Sequence, residues 1–160
     1  MTKITILAVG KIKEKFYQQA IAEYSKRLGR YCKLEIIEVA DEKISQDPSP
    51  KVMEQIKEKE GQRLLKYLRE DAYIIALAIE GKMLSSKELA GKIENLAVGG
   101  VSHLEFIIGG SLGLSEEVLS KADFSLSFSK MTFPHPLMRV ILLEQIYRSY
   151  RILTGSPYDK

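Results

Sequence analysis

Apolar positions along the chain switch between a spacing of two and a spacing of about four. Lys3 to Val9 puts Ile4, Ile6 and Ala8 on one side and Thr5, Leu7 and Val9 on the other, then meets Gly10. That alternation predicts a strand. From Glu14 to Leu28, Phe16, Ala20, Tyr24 and Leu28 recur every four residues, with Tyr17 and Ile21 beside them. This predicts an amphipathic helix stopped by Gly29. Lys33 to Val39 predicts a second strand. The polar stretch from Ala40 to Pro50 is a loop, and Pro50 opens a helix to about Leu68, weakened in its middle by Gly61.

Tyr73 to Ile79 is a continuous apolar run, the pattern of a strand buried on both faces. Glu80-Gly81-Lys82 predicts a turn. Ser85 and Glu88 have the spacing of a capping box, for a helix to about Leu96. Leu104 to Ile108 is another buried strand, running into the glycine-rich Gly109 to Gly113. Ser115 with Glu116 and Glu117 starts a short helix to about Lys121. Phe124 to Phe128 is the last strand. The loop Ser129 to Pro136 then leads to a long helix from about Leu137 to Leu153.

Strands alternating with helices imply an α/β fold, a parallel sheet with helices on both faces. Neither a repeat nor a linker divides the sequence, so one domain over residues 1–160 is expected. Ligands of such sheets lie outside the carboxyl ends of the strands, here the loops after Val9, Ile79, Ile108 and Phe128.

Composition narrows the class. The chain is 45% hydrophobic and 28% charged, which excludes a mainly disordered protein. Its apolar runs all fall short of the roughly 20 residues a membrane-spanning helix needs. The alternating N-terminus reads as a strand and not a signal peptide. A single cysteine, Cys32, cannot form an internal disulfide, so a cytoplasmic location is expected. Cys32 itself reads as a small half-buried side chain and His103 as a surface residue. One cysteine and two histidines are too few for a zinc site, and no metal is expected.

Charge is unevenly spread. Residues 1–33 hold eight basic and two acidic side chains, residues 34–129 hold 11 and 17, and residues 130–160 hold five and two. If folding brings the two ends together, one face is basic, and phosphate is the usual partner of such a face. Solvation alone is the plainer account of these charges.

Three segments carry candidate chemistry. Gly109-Gly110-Ser111-Leu112-Gly113 has neither the dinucleotide-binding spacing nor the Gly-Lys-Ser/Thr ending of a phosphate loop. It is either a ligand loop of another kind or a tight turn. Ser127 to Arg139 crowds Phe128, Met131, Phe133, Pro134, His135 and Pro136 before a helix. Such a loop is costly to order, and loops of this kind often carry function. Tyr147, Arg148, Tyr150, Arg151 and Tyr158 alternate aromatic and basic groups, suited to stacking on bases and gripping phosphate, or to packing inward or on a second subunit.

Together with the opening Ile4 to Lys15, three blocks resemble the ribosomal RNA large subunit methyltransferase H family, whose members are trefoil-knotted SPOUT methyltransferases. The blocks are Phe106-Ile107-Ile108-Gly109-Gly110-Ser111-Leu112-Gly113, Ser127-Phe128-Ser129-Lys130-Met131-Thr132-Phe133-Pro134-His135, and Glu144-Gln145-Ile146-Tyr147-Arg148. The resemblance covers essentially the whole chain. It implies a deep C-terminal trefoil knot, which breaks ordinary connection rules. It implies a homodimer that binds S-adenosylmethionine and methylates N3 of a pseudouridine in 23S rRNA of the assembled 70S ribosome. It places the cofactor on Leu77, Gly109, Phe128, Ser129, Lys130, Met131, Thr132 and Phe133.

A sulfonium donor needs no metal, but the imide nitrogen must lose its proton before it attacks. His135, Arg139 and Arg148 are the candidates for catalytic roles, with Arg148, Tyr158 and Asp159 on the substrate side. Asp159 departs from the family, whose tail usually has histidine there. Two rivals stay open, the first of them because of that departure. One is a non-catalytic ribosome-binding protein of the same fold, and the other a methyltransferase acting on another RNA.

Overall fold

A computed structural model describes residues 1–155 of the chain. Five strands form one parallel sheet: β1 (Thr2–Val9), β2 (Cys32–Val39), β3 (Tyr73–Met83), β4 (His103–Ile108) and β5 (Phe124–Ser127). Their spatial order is β2-β1-β4-β3-β5. The helices between and after them are α1 (Lys15–Leu28), α2 (Pro50–Leu65), α3 (Ser86–Val98), α4 (Glu116–Lys121) and α5 (His135–Leu153).

The alternation in β1 sorts the core into two layers. Ile4, Ile6 and Ala8 pack with Leu104, Phe106 and Ile108 of β4 against Leu89 and Ile93 of α3 and Leu142, Leu143 and Ile146 of α5, with Ile21 and Tyr24 of α1 at the margin. Leu7 and Val9 join Ile74, Ala76 and Ile107 on the opposite face, under Leu64 of α2 and Val118 of α4. Helices therefore cover both faces, as the pattern predicts. α1 packs on α5, which brings the first and last helices of the chain together. Among the described residues no helix is long and apolar enough to cross a membrane.

Local signals behave as their chemistry requires. Ser49 caps α2 by accepting from Val52 N, and Pro50 takes the first helical position, where no amide partner is lost. Ser85 and Glu88 complete the capping box of α3. Pro136 sits in the first turn of α5, which begins at His135, two residues before the predicted Leu137.

Three expectations fail. Glu80-Gly81-Lys82 is no turn, because β3 runs on to Met83. Its pairing with β5 skips from Leu77 to Lys82, both opposite Leu126. The skip depends on Gly81, where a Cβ would stand 2.7 Å from the Ser125 backbone. His103 is buried, because β4 lies between β1 and β3, and its Nε2 sits 2.8 Å from Thr5 Oγ1. Cys32 is fully buried, and desolvation pushes its thiol up to about 11.

Candidate functional site

The carboxyl ends of β4, β3 and β5 are neighbours in the sheet. Gly109 follows β4, Leu77 is the last residue of regular β3–β5 pairing, and Phe128 follows β5. The fold thus gathers in one place three segments that lie far apart in sequence.

The loop after β4 folds tightly on itself. Gly113 N donates to Gly110 O at 3.0 Å, and the two residues form an isolated bridge. Gly113 has φ +88°, a conformation that favours glycine. A Cβ on Gly109 would lie 2.7 Å from the Gly113 carbonyl carbon, so only glycine fits there without movement. The backbone itself is what this loop can offer a ligand.

Residues 128–134 leave β5 at the sheet edge, while the next residue, His135, abuts Gly10 beyond β1. Between those strands lie β3 and β4. Ser129 shapes the segment: its Oγ accepts from Met131 N at 2.9 Å, and its carbonyl accepts from Ser127 Oγ at 3.2 Å. Lys130, Met131, Thr132 and Phe133 are exposed, with Met131 74% accessible. Leaving a methionine and a phenylalanine in water fits a segment that covers something.

At its end a polar cluster joins three elements. His135 Nε2 lies 3.2 Å from where a Cβ on Gly10 would be. One turn on, Arg139 is fully buried, donating from Nη2 to Gly10 O at 3.1 Å and from Nη1 to Glu38. Burial first, then the Arg139 charge, hold the His135 imidazole below its ordinary range. Beside this cluster an open cleft of about 540 Å³ is lined by Lys11, Ile12, Gln18, Ile36, Glu38 and Arg139. Lys11, Lys13 and Lys15 are exposed at the same sheet edge.

Of the residues singled out in the sequence, Leu77, Gly109 and Phe128 to Phe133 come together at the carboxyl edge. His135 closes their far end and Arg139 lies beneath it. Arg148 does not join them, since it pairs with Glu144 at 3.0 Å further along α5. Thirteen residues from His135 correspond to roughly 20 Å of helix. Tyr158 and Asp159 lie outside the described residues. Sequence reasoning missed Glu38, whose only signal is an acid near the end of a half-buried strand. It also missed Gly81, hidden in a motif that reads as a turn.

Residues 2–159 match the profile of a family described as "Predicted SPOUT methyltransferase". The ribosomal RNA large subunit methyltransferase H of Bifidobacterium adolescentis is 63% identical over 158 residues, covering 99% of each chain. The protein of the same name from Clostridioides difficile is 61% identical over 157 residues, 98% of this chain and 99% of that one. Among solved structures, a probable methylase family protein from Haemophilus influenzae aligns with a TM-score of 0.55 at 12% identity, over 98% of this chain and 70% of that one. At that identity it speaks for the fold alone.

Proposed function

The chain belongs to the SPOUT methyltransferase family, and from that premise we propose that it methylates N3 of a pseudouridine in 23S rRNA of the assembled ribosome, using S-adenosylmethionine. The observation that carries this reading is the convergence of Leu77, the Gly109 loop and residues 128–133 beyond three adjacent strands. Close-packed glycine backbone and an exposed apolar segment suit a flat adenosine and the carbon chain of a sulfonium. The two relatives bear the name of the large-subunit rRNA enzyme at 61–63% identity, which supports the RNA substrate. The family also implies the trefoil knot. A ribosomal substrate and a free thiol at Cys32 fit work in the cytoplasm.

When bound, the donor supplies a methyl group activated on a sulfonium. The chain's own residues hold it and prepare the acceptor. Residues 128–133 and Gly109 would hold it, the glycine letting backbone approach closely. His135, its imidazole held below the ordinary range by burial and by the Arg139 charge, is the group placed to take the proton from the acceptor imide. Arg139 is a positioning residue, since its buried guanidinium fixes Gly10, against which His135 rests.

Arg148 lies too far along α5 to serve the His135 of its own chain, so its substrate role belongs to a homodimer. Half-buried Tyr24, Tyr31 and Tyr147, gathered where α1 meets α5, suit such an interface.

Radiolabelled S-adenosylmethionine tests the reading, with 70S ribosomes from cells lacking the gene and deproteinised 23S rRNA alongside. Label on one pseudouridine, in ribosomes only, is the expected result. Donor binding without label on either would favour a non-catalytic ribosome-binding protein. Label on free RNA would favour a different RNA substrate.

A further inference from the structure

The buried stripe of α2 reads Ile56, Glu60, Leu64 at four-residue spacing, with an acid where the pattern calls for an apolar side chain. Glu60 is only 4% exposed. One carboxylate oxygen, Oε2, accepts from Glu42 N at 3.0 Å. The other, Oε1, has no hydrogen-bond partner among the described residues. It lies 3.0 Å from where a Cβ on Gly110 would stand, beside Val9 Cγ1. The next residue presses on the same unit from below: a Cβ on Gly61 would stand 2.5 Å from Ser115 Oγ, the cap of α4. α2 therefore meets the Gly109–Gly113 loop through Glu60 and the start of α4 through Gly61.

We propose that Glu60 is a positioning residue for this loop: its free oxygen Oε1 accepts a hydrogen bond from a loop amide when the loop closes on the methyl donor. Packing alone does not account for the residue. A buried carboxylate oxygen without a partner costs stability, and leucine or glutamine at this place in the stripe would cost less. Desolvation, reinforced by Asp41, holds the Glu60 carboxyl above its ordinary range, against the Glu42 amide that favours its charge. Such a cost persists where it serves a bound state. Gly110 is the loop residue that Oε1 faces, and its carbonyl is already taken by Gly113 N. The inference rests on the donor reading above.

Glu60→Gln is the test. Glu42 N demands an oxygen, so the amide nitrogen of the introduced side chain must face the loop, where it cannot accept. Titration of the full chain with S-adenosylmethionine, thermal unfolding and methyl transfer over a range of donor concentrations are measured side by side. The expected result is about tenfold weaker donor binding, as for a lost charge-assisted hydrogen bond. The melting temperature should be unchanged or higher, and the loss in methyl transfer should fall on the donor KM more than on kcat. Wild-type affinity in the variant would overturn this inference and leave the donor reading intact. So would affinity lost only in step with melting temperature. A wild-type chain that binds no donor removes both. Should the Glu60→Gln chain fail to fold, Gly110→Ala provides the check from the loop side, because its Cβ would press on Oε1 at unchanged charge. It should weaken donor binding similarly, and undiminished affinity would overturn the inference.

Discussion

Arg139, buried in α5, donates to the carbonyl of Gly10, 129 positions earlier in the chain, at 3.1 Å. The same guanidinium pairs with Glu38 at the end of β2. One side chain thus ties the entry of the last helix to the ends of the first two strands. Arg139→Ala should cost about 2–4 kcal/mol in urea unfolding, because it opens a cavity and strips a buried network. Arg139→Lys should recover only part, since one ammonium cannot match the guanidinium fork.

His135 and His103 both have imidazoles held below their ordinary range, chiefly by burial. The unfolded chain then binds more protons than the folded one. Stability contributed by the neutral rings is present above the unfolded value near 6.5 and is lost as pH falls below it. Unfolding free energy measured between pH 7.5 and about 5 should fall with pH, and should fall less in His135→Gln and His103→Asn.

Glu105 has the opposite sign. It is fully buried in β4, with Oε1 accepting from Arg69 N at 2.7 Å and Oε2 unpaired among the described residues. Desolvation raises its carboxyl, so its favourable contribution is complete at acid pH and is lost as pH rises through the folded value. Glu105→Gln should be more stable than the parent by about 1 kcal/mol at pH 7, with the gap closing toward pH 4. A constant gap would reject the assignment.

Gly81→Ala should separate β5 from β3, because its Cβ would sit 2.7 Å from Ser125 backbone. A loss of about 1–3 kcal/mol is expected. Since β5 feeds residues 128–133, donor affinity measured by titration should weaken as well.

The two basic groups separate by kinetics and salt. Arg148→Ala should lower methyl transfer at least tenfold and leave donor affinity within about twofold, as for a group on the acceptor side. Replacing Lys11, Lys13 and Lys15 together with alanine should reduce the slope of ribosome affinity against log salt by about two to three. An unchanged slope would mean that these lysines do not meet phosphate.

Much of the fold is legible in the sequence because burial imposes a period. The strand faces Ile4-Ile6-Ala8 and Thr5-Leu7-Val9 settle in the two layers that alternation assigns them. Caps at Ser85 and Ser115 are local contacts over three residues, so their spacing reveals them. The glycine loop and the Ser127–His135 segment stand out because their residue types suit neither helix nor strand.

Residue pattern therefore specifies the set of elements, their alternation and the segments free to bind. Which of those segments meet is settled only by packing in three dimensions. The strand order β2-β1-β4-β3-β5 brings Leu77, Gly109 and Phe128 to one edge, and no periodicity encodes that order. It buried His103 by placing β4 between two neighbours, and it drew Glu80-Gly81-Lys82 into a strand because β5 passes within reach of Gly81. It set Glu38 against Arg139 and Glu60 beneath Gly110. Local pattern records how each residue faces the core, whereas a contact over tens to more than a hundred positions depends on how whole elements pack. Those long-range contacts are the ones that assemble the candidate site.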